Sequence, residues 1–138
     1  MKKNLLSVVC PCYNEVENLE YFSKELINTL QELDLEYEVI FVNDGSSDAT
    51  LEKLKELKNT YSHIKIISLS RNFGKEAALS AGIDKAKGDA LVPIDADMQH
   101  PPHVIKDLYK EWQKGYDVVL AKRKTRTTES FVKKMNAY

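Results

Sequence analysis

Two cysteines, four prolines, five glycines and one tryptophan are few for 138 residues, and each shortage closes off a class of structure. Cys10 and Cys12 flank Pro11, with no second pair to complete a zinc site or build a disulfide framework. They read as core fillers in a reducing, cytosolic compartment. The low glycine and proline content excludes collagen-like and low-complexity chains. No stretch approaches the roughly 20 apolar residues of a membrane-spanning helix. "MKKNLLSVVC" imitates the start of a secretory leader, but Pro11 and the polar "YNE" interrupt it and no small-residue cleavage pattern follows, so it reads as a first strand. Motifs are missing too. There is no G-x-x-x-x-G-K-[ST] phosphate loop, no G-x-G-x-x-G after the first strand and no G-x-S-x-G elbow. His63, His100 and His103 show no partner pattern, and the last two read as solvated loop and helix-start residues.

What remains is ordinary globular composition, 43% hydrophobic and 30% charged, at a length that suits one domain spanning 1–138. The net charge of -1 conceals an asymmetry: Lys122 to Lys134 holds six basic residues against one acidic, leaving 14 basic and 20 acidic elsewhere. Such a segment meets an anionic partner or is a solvated tail.

Five apolar runs read as strands buried on both faces: "LLSVVCPC" (5–12), "YEVIFVN" (37–43), "IKIISLS" (64–70), "DALVPID" (89–95) and "YDVVLA" (116–121). Helical spacing separates them. Leu19, Phe22, Leu26, Leu30 and Leu33 form one stripe behind an Asn14/Glu17 capping-box spacing, and Leu51, Leu54, Leu57 and Tyr61 form another. Ala78, Ala81 and Gly82 give a third helix a small face suited to close packing. A fourth starts at Pro101–Pro102 and carries Val104, Leu108 and Trp112. This alternation predicts an α/β fold with a largely parallel sheet. Ligands of such sheets bind beyond the carboxyl ends of the strands. Nearly all the unusual polar chemistry falls there: "PCYNE", "NDGSSD", "SRNFGKE", "DADMQHPP" and "AKRKTR".

Asp95 and Asp97 stand at i and i+2, so an extended chain would point both carboxylates to one side with Cα atoms roughly 6 to 7 Å apart. With Gln99 they offer hard oxygen ligands that suit Mg²⁺ or Mn²⁺; the alternative is a turn or a cap on the next helix. Asp44 can accept from base or ribose donors, or can serve turn chemistry with Gly45. Tyr13 and Glu15 can line a ligand, or merely pack and complement a helix N-terminus. Arg71 and Lys75 face phosphates or water.

Together, "VVCPCYNEVENL", "EVIFVNDGSSDAT", "SRNFGKEAALSAG", "GDALVPIDADMQHPP" and "GYDVVLAKRKTR" resemble glycosyltransferase family 2 from residue 7 onward, and within it the polyprenyl-phosphate branch. The resemblance implies a GT-A fold and an inverting, metal-assisted transfer of sugar from a nucleotide-diphosphate donor to a polyprenyl phosphate, at the cytoplasmic face of a membrane. It implies that Pro11, Tyr13, Glu15 and Asp44 surround the nucleoside, with Lys75 near the donor. Asp95, Asp97 and Gln99 would serve Mg²⁺ or Mn²⁺ and the diphosphate, and Arg123 and Arg126 the acceptor phosphate. No nucleic acid is implied. UDP-sugar is favoured over GDP-mannose, because "RNFGKEAAL" is closer to bacterial glucosyl-type relatives.

Relatives of this kind are longer. The chain is therefore expected to be the donor-binding half, transferring sugar poorly or not at all alone and prone to self-association through exposed apolar surface. Phe131, Met135 and Tyr138, at i, i+4 and i+7 beside Lys133 and Lys134, suggest a membrane-interface helix over 129–138 or a helix packed on protein. Two other readings stand beside this one: a family 2 transferase acting on a polysaccharide hydroxyl, and a non-catalytic nucleotide-binding or assembly module.

Overall fold

The computed structural model describes residues 3–123 and 130–135. It forms two compact units, residues 1–102 and 103–138. In the first, β1 (Leu5–Cys12), α1 (Val16–Gln31), β2 (Glu36–Asn43), α2 (Thr50–Thr60), β3 (Ile64–Ser68), α3 (Lys75–Lys85) and β4 (Ala90–Pro93) alternate as expected. The four strands form a parallel sheet in the order β3-β2-β1-β4. The order reverses beside β1, because β2 and β3 add on one side and β4 returns to the other. That reversal is the topological switch point at which open α/β sheets take their ligands.

Helices cover both faces of β1 and β2, which are buried on both sides as expected, whereas β3 and β4, at the sheet's edges, are only partly buried. On one face Phe22 of α1 meets Phe41 of β2 edge-on, with ring centroids 6.5 Å apart, and Leu19, Leu26 and Leu30 are fully buried. On the other, α3 lays Ala78 and Gly82 against Val9, Ile40 and Val42. A Cβ on Gly82 would fall 2.4 Å from Val9 Cγ1, so the small face read from sequence is a packing requirement.

At the amino ends of the strands, buried Glu38 accepts from the Ser7 hydroxyl, the Lys87 N–H (2.7 Å) and the Lys65 ammonium (2.7 Å). Burial raises its carboxyl pKa, but Lys65 together with the Lys87 and Ser7 donors outweighs this and holds it below the ordinary value.

The second unit holds α4 (Val104–Gln113), β5 (Val118–Arg123) and β6 (Ser130–Met135). Three expectations change here. The fifth strand does not join the parallel sheet; it pairs antiparallel with β6. Ser130–Met135, expected to be helical, is a strand whose backbone is paired from Val118↔Met135 to Arg123↔Ser130; neighbouring strand pairing has overridden the i, i+4, i+7 pattern. The fully buried positions of α4 are Ile105 and Tyr109, while Val104, Leu108 and Trp112 are only partly buried. Tyr109 and Trp112 stack with centroids 5.7 Å apart.

Candidate functional site

The four strands of the first unit end on one edge, and side chains stitch their exit loops together in sequence from β1 to β4. Asn14, just past β1, has φ of 53°, a backbone state that Asn tolerates better than most residues. Its N–H donates to Ser46 Oγ (2.9 Å), and its Oδ1 accepts from the N–H groups of Ser47 (2.8 Å) and Asp48 (3.3 Å). The expected capping box does not form. Asn14 spends its amide oxygen on the β2–α2 loop, and the residue entering α1 is Glu15, without a side-chain cap. Glu15 N–H donates instead to Thr50 Oγ1 (2.9 Å), whose hydroxyl donates to Asp48. Desolvation, the largest single influence on the Asp48 carboxyl, raises its pKa, but the Thr50 hydroxyl and N–H and the Val16 N–H together outweigh this and hold it below the ordinary value.

The next stitch is Asp44. It is 3% exposed, and its carboxylate accepts from the N–H of Phe73 (2.8 Å), the N–H of Gly74 (3.1 Å) and the Asn72 amide (3.2 Å). The β3–α3 loop is therefore hung on a buried carboxylate. It also crosses close over Gly45, where φ is 66° and a Cβ would lie 2.1 Å from the Arg71 carbonyl carbon. Only glycine fits both the conformation and the space. Arg71 places its guanidinium 4.5 Å from the Phe73 ring centroid, a cation–π contact on the exposed side of the loop.

The last stitch joins Lys75, the first residue of α3, to Asp95: Nζ to Oδ2 is 2.7 Å. The strand expected to carry Asp95 is shorter and ends at Pro93, two residues before it. Ile94 N–H still bonds Val9 O, but the chain turns at Ala96–Asp97, so the extended i, i+2 geometry does not hold. Asp97 is exposed and accepts from Gln99 N–H (3.1 Å) across Met98, which has φ of 65°. Ala96, between the two aspartates, is buried.

Of the residues singled out by sequence, Pro11 is buried at the end of β1, Tyr13 is 47% exposed, and Glu15, Asp44, Lys75, Asp95, Asp97 and Gln99 share this edge. Arg123 ends β5 opposite Ser130, and Arg126 lies outside the described residues. Sequence reasoning missed Asn43, Thr50 and Asn72, and gave Asn14 the role of a helix cap. Asn43 is buried, accepts from Ser46 N–H and donates to Ser68 Oγ. Their signal was present: asparagines repeat at the ends of β1 and β2 and in the β3–α3 loop. Cys10 and Cys12 are free and buried with sulfurs 3.9 Å apart; burial pushes the Cys10 thiol well up, so it is an inert core group.

Among the described residues no three His, Cys, Asp or Glu side chains gather as a metal site. Asp95, Asp97 and Gln99 nevertheless present hard oxygens of the kind that Mg²⁺ and Mn²⁺ take, and such ions commonly complete their shells with substrate phosphate and water. The donor set fits a cation that arrives with a diphosphate.

The model of the family described as "Glycosyl transferase family 2" matches residues 7–137. The chain is 52% identical, over 96% of its length, to an uncharacterized glycosyltransferase, sll0501, of Synechocystis sp.. It is 45% identical over 96% to the bactoprenol glucosyl transferase of Shigella phage SfV. It spans only 42% and 43% of those two relatives. Among solved structures, TarS of S. aureus in complex with UDP matches with a TM-score of 0.63 at 28% identity, over 90% of this chain and 36% of that one. The mannosyltransferase PcManGT of Pyrobaculum calidifontis, in complex with GDP-Man and Mn²⁺, matches with a TM-score of 0.72 at 21% identity, over 93% of this chain and 38% of that one. The fold is that of GT-A glycosyltransferases, of which this chain holds a part.

Proposed function

Because this chain belongs to glycosyl transferase family 2, we propose that its strand-exit edge is the donor site of an enzyme that moves a sugar from a nucleotide diphosphate to a polyprenyl phosphate. The observation that carries this reading is the convergence of Asp95, Asp97 and Lys75 at the exit of β4, beside the switch point of the sheet. The name of the phage relative, a bactoprenol glucosyl transferase, supports a lipid acceptor. The UDP bound to TarS supports a uridine donor.

The assignment of roles follows from chemistry. Tyr13 offers an exposed aromatic face beside the nucleoside, with Pro11 and Glu15 shaping the same wall. Asp44 acts there by fixing the backbone of Phe73 and Gly74, so that the loop is set before the donor arrives. Asp95, Asp97 and Gln99 would hold Mg²⁺ or Mn²⁺; when bound, the cation stabilises the negative charge that grows on the leaving diphosphate. Lys75 adds a positive charge on the same side.

A polyprenyl phosphate is already anionic, so the acceptor side requires cations that orient it rather than a base that deprotonates it. Arg123 and Arg126 supply guanidinium groups suited to gripping two phosphate oxygens. Attack from the side opposite the departing diphosphate inverts the anomeric carbon. The basic stretch from Lys122 to Lys134 would hold this part of the enzyme against an anionic membrane surface.

Calorimetric titration with UDP-glucose and GDP-mannose, with and without Mn²⁺, on wild type and Asp97→Asn tests the reading. The expected result is metal-dependent binding of UDP-glucose, weakened at least about tenfold in the variant, the loss of roughly 1.4 kcal/mol or more from one ligand charge. Equal affinity with and without metal, or no binding of either nucleotide, would overturn it.

A further inference from the structure

We propose that Lys75 is a displaceable counter-ion for Asp95: its ammonium occupies the carboxylate until a divalent cation takes that place, and the freed ammonium then turns to the diphosphate. This inference rests on the donor-site reading above. Three observations support it. The pair is short, 2.7 Å from Nζ to Oδ2, yet open to water, with the lysine side chain 60% and the aspartate 31% exposed. An exposed pair of this kind separates at little cost. Lys75 is also the first residue of α3, after Gly74. Cations are disfavoured at a helix N-terminus, so Asp95 offsets an unfavourable position that an incoming anion would offset equally well. Finally, Asp95 is one of the two carboxylates at the turn, while Asp97 is engaged by a neutral backbone N–H. A divalent ion bound to Asp95 with the ammonium still in place would bring three positive charges within about 4 Å, so the two occupants exclude each other.

Exclusion at Asp95 couples the two ligands. Cation binding releases Lys75, which makes a new positive charge available to the diphosphate, and the diphosphate reciprocally tightens the cation. A lysine that served only as a fixed clip between the β3–α3 loop and the β4 exit would do the opposite. Its removal would loosen Asp95 and weaken metal binding. The sign of one affinity change therefore separates the two roles.

The test is titration of Mn²⁺, read from the electron paramagnetic resonance signal of the free ion, into wild type, Lys75→Met, Lys75→Arg and Asp95→Asn, with and without UDP. Circular dichroism checks that each variant is folded. Without nucleotide, Lys75→Met is expected to bind Mn²⁺ about two- to tenfold more tightly than wild type, the span of an exposed ion pair plus the relieved repulsion. Lys75→Arg should keep wild-type affinity, and the factor by which UDP tightens Mn²⁺ should shrink in Lys75→Met. If Lys75→Met binds Mn²⁺ equally or more weakly while Asp95→Asn loses it, the counter-ion role is wrong and the donor site stands. If no protein binds Mn²⁺ even with UDP, both fall.

Discussion

At the scale of single residues, carboxylates in this chain divide by surroundings rather than by motif. Glu38 and Asp44 are both buried and both satisfied, one by a lysine, an N–H and a hydroxyl, the other by two N–H groups and an amide. Asp95 is partly exposed and paired with Lys75, and Asp97 is exposed to water. Glu38 gives a pH prediction whose sign is fixed by its lowered pKa. Between its folded value and the ordinary value of 4.5, the unfolded chain binds more protons, so stability rises with pH there. The contribution is complete above that ordinary value and disappears as pH falls through the folded one. Glu38→Gln, followed by urea unfolding from pH 3 to 7, should lose roughly 1 to 3 kcal/mol at neutral pH and show a shallower acid limb. An unchanged acid limb would mean that the network carries no proton linkage.

At the scale of elements, the exit loops behave as one assembly because each is tied to the next: Asn14 to the β2–α2 loop, Asp44 and Gly45 to the β3–α3 loop, Lys75 to the β4 exit. The tightest point is Gly45, where the obstacle is the Arg71–Asn72 backbone and cannot rotate away as a side chain would. Gly45→Ala should therefore cost about 2 to 4 kcal/mol through strained φ and displaced backbone, more than a Gly→Ala change in an ordinary turn. Thermal unfolding measures the stability loss, and nucleotide titration should show weakened binding, since displacing this loop also frees Phe73 and Gly74 from Asp44. A variant as stable as wild type would show that the two loops do not touch in solution. The α3 helix makes the same point on the sheet, where Gly82 leaves just enough room for Val9.

At the scale of the whole molecule, charge is segregated along the chain, with the basic run near the end of a sequence that is otherwise acidic. No helix among the described residues is long and apolar enough to cross a membrane. If the basic run meets anionic headgroups, the protein should co-sediment with vesicles containing phosphatidylglycerol at low salt. It should release when the Debye length falls to about 3 Å near 1 M salt. Salt-independent association would point to apolar insertion, and no association at any salt would remove the membrane from the reading of this segment.

The parts of the fold that sequence could deliver are those governed by local periodicity. β1 falls on the residues that its apolar run marks, α1 carries the stripe through Leu30, and the Ala78/Gly82 face packs where small residues permit it. What failed depended on partners far along the chain. Asn14 has the spacing of a helix cap, yet its side chain answers to Ser47 and Asp48. Residues 130–135 have helical spacing, yet they pair with β5. The site divides in the same way. The gathering of these residues at one edge was determined by the order of strand and helix, because parallel connections bring every carboxyl end to the same side. Which carboxylates would be buried as struts and which left open, and that Lys75 would rest on Asp95, only the tertiary structure decided, because burial and charge pairing arise between segments that the chain keeps far apart.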